Sequence, residues 1–101
     1  MNAKPSDILE KSLACNRKHG WVPRMHGRDG SCCFMVAMSR ATRSANGGPG
    51  FGHPAAFEAR EALRKAVGFK QIAEWNDTRV SFREVEDGVM RAVRALRKSG
   101  R

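Results

Sequence analysis

Tyrosine is absent from this sequence, and five phenylalanines and two tryptophans leave it poor in aromatic rings. A surface that stacks successive bases of a single strand needs such rings, so that mode of nucleic-acid binding is disfavoured. No stretch of about 18 uncharged apolar residues occurs, which excludes a membrane-spanning helix. The opening segment MNAKPSDILEKS lacks the apolar core of a secretory signal, so a cytoplasmic protein is expected. Cysteine is scarce and odd in number: Cys15, Cys32 and Cys33, the last two adjacent. A disulfide framework is not built that way, and reduced thiols are the expectation. Acidic residues are also few, with 10 Asp and Glu against 19 Lys and Arg.

What is present fits one basic domain over residues 1–101. Apolar residues make up 41% of the chain, enough for a single modest core. The formal net charge is +9. Residues 1–50 hold 8 basic against 3 acidic side chains, and residues 51–101 hold 11 against 7, so no separate basic tail exists. A charge of this size favours an anionic partner, either nucleic acid, a ribonucleoprotein or an acidic protein face; simple solubility is the competing explanation.

Helical signals dominate. Ser6 reads as an N-cap followed by Asp7 and Glu10, with Ile8, Leu9 and Leu13 at helical spacing and Gly20 as a stop, giving a first helix over 6–19. PRMHGRDG, residues 23–30, is a polar turn, and the pattern allows a small β-hairpin around residues 21–33. Ser31 is placed to cap a second, buried helix, CCFMVAMSRATR, whose residues 32–38 are all apolar. SANGGPGFGHP, residues 44–54, reads as a mobile Gly/Pro loop. Pro54 opens a third helix with an alanine-rich face (Ala55, Ala59, Ala62, Leu63, Ala66, Val67), a Glu61–Lys65 pair on its wet side and Gly68 at its end. A short helical or irregular piece follows from Phe69 to Trp75. Ser81-x-x-Glu84 is a capping box, and the last helix runs over 82–98 on a stripe of Phe82, Val85, Val89, Ala92, Val93 and Leu96. The expected fold is an all-α compact bundle of four or five short helices.

Three chemistries compete for the remaining residues. Zinc needs four converging donors. Cys15 and His19 share a helix face, and His26, Cys32 and Cys33 lie downstream, but no Cys-x-x-Cys or His-x-x-x-His is present, so no metal and no cofactor are expected. A cysteine nucleophile needs a neighbouring base and a lowered pKa. Cys32 and Cys33 have His19, His26 or His53 as nominal bases, yet the apolar run around them indicates burial, so no catalytic residue is assigned. GGPGFG matches neither a P-loop nor a dinucleotide fingerprint. The best-defined candidate is the last helix. At 100° per residue, Arg91, Arg94, Arg97, Lys98 and Arg101 fall within about 120° of arc opposite the apolar stripe. Such an array could neutralise phosphates or meet acidic side chains, although bases late in a helix also complement its dipole. Trp21, Cys33, Trp75, Asn76, Asp77, Ser81 and Glu84 are expected to be structural. Trp75-Asn76-Asp77 reads as a joint: the Trp75 ring wedged between the flanking helices, Asn76 ending a helix in the left-handed conformation, and Asp77 in a turn near Arg79.

Three short motifs, HGW (19–21), CCFMVAMSRA (32–41) and IAEWND before a Ser-started helix (72–96), resemble a family of small proteins of unknown function found in bacteriophages and bacteria, notably actinobacteria. Val36 stands where that family often has glycine. The resemblance implies a phage or mobile-element setting and no catalytic residues. The expectation that follows is a non-enzymatic accessory protein acting by macromolecular binding. Its leading form inhibits a host defence complex, as an anti-CRISPR or similar anti-defence protein, with a host protein or ribonucleoprotein complex as partner. The alternative is a basic nucleic-acid-binding regulator acting through the last helix; a small cysteine-dependent enzyme ranks third.

Overall fold

The computed structural model describes residues 4–23, 30–46 and 54–101. Five helices form among them: α1 (Pro5–His19), α2 (Phe34–Asn46), α3 (Pro54–Val67), α4 (Ile72–Asp77) and α5 (Phe82–Lys98). The fold is an all-α bundle in which α1 packs against α2, α3 and α5, while the short α4 bridges α2 and α3. Ile8, Leu9, Leu13, Phe34, Met38, Leu63, Val85, Val89, Val93 and Leu96 fill the interior, each at most 1% exposed. The apolar stripe of α5 supplies the largest share of this face, as the 3.6-residue repeat requires.

Helix ends follow local chemistry with some differences from expectation. α1 starts one residue early, because Pro5 occupies its first turn, where a missing N–H costs nothing. Ser6 therefore lies inside the helix, and its hydroxyl donates to the Arg101 carbonyl at 3.0 Å, tying the first turn of α1 to the segment after α5. Gly20 closes α1 with φ +94°; its N–H donates to the Asn16 carbonyl, and a Cβ there would meet that of Ser31 at 3.1 Å. The capping box at α5 is complete, with the Ser81 side chain accepting from the Glu84 N–H and the Glu84 carboxylate accepting from the Ser81 N–H.

Of the hairpin expected around residues 21–33, residues 24–29 lie outside the described residues. Its described ends meet in one isolated bridge, Trp21 to Cys32, which is parallel, whereas a hairpin pairs antiparallel strands. No strand occurs among the described residues. Because Cys32 is engaged in the bridge, α2 begins at Phe34 rather than at Cys32, and Ser31, expected to cap it, is buried and outside the helix. At its far end α2 continues through residues 44–46, which corrects the start of the expected Gly/Pro loop; residues 47–53 lie outside the described residues, as do His26 and His53. On α3, Glu61 pairs with Arg64 at 2.9 Å rather than with Lys65, since the guanidinium reaches both carboxylate oxygens.

Candidate functional site

The Trp75-Asn76-Asp77 joint is built differently from its sequence reading. Asn76 does not leave the helix in the left-handed region. It is a fully buried residue of α4, and the helix ends at Thr78 in the right-handed region. Its side-chain oxygen accepts from the Trp21 indole N–H at 2.8 Å and from the Phe34 backbone N–H at 3.0 Å. Its amide nitrogen donates to the Pro23 carbonyl at 2.6 Å. One amide therefore joins α4, the 21–23 segment and the first turn of α2, where it satisfies an N–H that has no partner within its own helix. Trp75, 2% exposed, meets Phe34 edge-to-face with centroids 6.4 Å apart. It also lies close to α5: a Cβ at Gly88 would fall 2.7 Å from its ring and 2.9 Å from Val67 of α3. Asp77 is exposed, and Arg79 turns away from it, donating to the Trp75 carbonyl and lying over the Phe69 ring.

The thiols are free and sit between α1 and α2. Cys32 is fully buried and Cys33 nearly so, while Cys15 is partly exposed. The Asn16 amide donates to the Cys32 carbonyl at 3.0 Å, which fixes that residue against α1. Burial pushes the Cys32 thiol above its ordinary range; Arg40, with Nη1 3.6 Å from Sγ, pulls the other way and is outweighed. A thiol held protonated in this manner is a poor nucleophile at neutral pH. Among the described residues no group of three or more His, Cys, Asp or Glu side chains is placed to hold a metal ion.

The basic array of α5 is divided by the packing. Arg97, at one edge, reaches α1 and pairs with Glu10 at 2.8 Å and Asp7 at 3.9 Å; the Glu10 hydrogen bond raises its pKa. Arg91, at the other edge, donates to the Ala66 carbonyl in the last turn of α3 at 3.2 Å. Arg101 folds back on Ser99. Arg94 and Lys98 remain exposed between them, without an ion pair among the described residues.

A second basic cluster was not visible from any one helix. Lys11, Lys18 and His19 of α1 and Arg40 of α2 line a cleft of about 410 Å³, with Ala14, Cys15 and Ala41 forming the rest of its described wall. No acidic side chain lies in that wall. Of the acids nearby, Asp7 and Glu10 of α1 are paired with Arg97, and Glu86 of α5 is taken by Arg17 at 2.6 Å. Positive charge in a concavity with no internal counter-charge concentrates the field and draws anions. The sequence signal for this cleft is weak, because its three cations and His19 are spread over 30 positions and two elements.

A helical bundle with a basic cleft defines a structural class and no single activity. Residues 1–98 match the family of unknown function DUF6197, and the protein belongs to that family. No curated protein and no solved structure matches the chain.

Proposed function

We propose that this protein acts by binding an anionic macromolecular partner rather than by catalysis. The observation that carries the reading is the α1/α2 cleft, where four basic side chains converge without an acid in the described wall. The net charge of +9 would add long-range attraction. The raised pKa of the buried Cys32 weighs against the cysteine-dependent enzyme. In its specific form, the partner is a host protein or ribonucleoprotein complex that the protein inhibits, as an anti-CRISPR or other anti-defence protein would. That form rests on the resemblance of its Gly-Trp, Cys-x-x-x-Ala and Trp-Asn-Asp motifs to phage proteins. The second reading, a nucleic-acid-binding regulator acting through the last helix, is favoured by Arg94 and Lys98, which stand exposed and unpaired among the described residues.

Capture of the tagged protein from host cells, with and without nuclease, separates the two. Retention of a defined host complex after nuclease supports the inhibitor. Nucleic acid alone supports the regulator. Retention of nothing beyond what a basic control protein retains would refute both.

A further inference from the structure

We propose that the α1/α2 cleft seats the phosphodiester backbone of a nucleic acid, either free or as part of a ribonucleoprotein. The inference rests on the reading that the partner is anionic and specifies its chemistry. Lys11 and Lys18 are seven residues apart on α1, a span of about 10 Å along the helix. One strand of a duplex carries a charge every ~3.4 Å of axis, so this row matches several successive phosphates better than one small anion. Arg40 closes the cleft from α2. One arm of its guanidinium is held near Cys32 Sγ at 3.6 Å, and its other donors form the planar fork suited to phosphate oxygens.

The walls also discriminate between polyanions. Protein interfaces draw their affinity from buried aromatic or aliphatic anchors. The described apolar wall here is Ala14, Cys15 and Ala41, which offers none. A phosphate chain asks for charge and donors alone. With no Phe, Tyr or Trp among the described lining residues, no large ring is offered for bases to stack on, and binding is independent of sequence. The C-terminal end of α1 carries about half a negative charge, which opposes an anion near His19, but the full positive charge of Lys18 stands in the same turn.

The test is fluorescence anisotropy with a short labelled RNA, a short labelled DNA duplex and a labelled polyglutamate peptide. The full chain is compared with Lys11→Gln/Lys18→Gln and with Lys70→Gln/Arg83→Gln, which removes the same charge from exposed sites outside the cleft. The cleft variant is expected to bind nucleic acid roughly tenfold more weakly at low salt, with a salt slope shallower by about two. The control is expected to change affinity by no more than about threefold. Equal losses in both variants, or tighter binding of polyglutamate than of nucleic acid, overturn the phosphate assignment while leaving an anionic partner. Failure of the unaltered protein to bind any of the three probes overturns both.

Discussion

Asn76 satisfies three groups that would otherwise lose their partners: the Trp21 indole, the Phe34 N–H and the Pro23 carbonyl. A buried donor or acceptor left alone costs about 1–3 kcal/mol, and Trp21 and Pro23 lie close enough to solvent to recover part of that. Asn76→Ala is therefore expected to lower the unfolding free energy by roughly 2–4 kcal/mol in urea titrations, and a loss below about 1 kcal/mol would contradict this role. Asp77→Asn, one position on, changes an exposed side chain and is expected to shift stability by less than about 0.5 kcal/mol. The pair could not be ranked from sequence. Asp and Asn beside a helix end both read as turn residues, and the partners that set Asn76 apart lie 42 to 55 positions away. The cysteines carry a second expectation. Cys15 should alkylate before Cys32 and Cys33 in the native protein, because it alone is partly exposed. The raised pKa of Cys32 also fixes a sign: below about pH 8.5 the thiol is protonated in both states, and above it the unfolded chain ionises first, so this group's contribution to stability is lost as pH rises. Cys32→Ala should remove that part of the alkaline loss, as urea titrations across the range would show.

Between elements, Trp75 of α4 and Val67 of α3 come close to Gly88 of α5. Gly88 would be a poor choice for the interior of an exposed helix, since alanine is favoured there by about 1 kcal/mol. Here the Trp75 ring and Val67 occupy the space of its missing Cβ. Gly88→Ala is expected to destabilise by about 1–3 kcal/mol despite the gain in helix propensity, because the buried Trp75 ring and the half-buried Val67 would both have to shift. An equal or higher melting temperature would show that the ring moves aside. Ser81→Ala should cost about 1 kcal/mol by opening the capping box. These two sites differ in how readable they were. The capping box is a contiguous pattern, and α5 has the bounds it implies. The start of α2 was misplaced because the group that accepts the Phe34 N–H belongs to α4, and because Cys32 pairs with Trp21 instead of entering the helix. Local rules locate a helix end when its cap is local, and fail when the cap arrives through tertiary packing.

Across the whole molecule, charge was legible and its placement was not. The α5 row was found because its members repeat on one helix, yet Arg97 and Arg91 are engaged with α1 and α3 in joining the bundle. The α1/α2 cleft was missed because Arg40 and the α1 cations converge only after folding. Two surfaces are thus available to an anionic partner: the cleft, and the Arg94–Lys98 strip. The most direct measurement of the central claim is the affinity for the complex recovered by tagged capture, followed as a function of salt. Log affinity is expected to fall linearly with log salt, and Lys11→Gln/Lys18→Gln to flatten the slope. An affinity independent of salt, or an unaltered slope in that variant and in Arg94→Gln/Lys98→Gln alike, would contradict it.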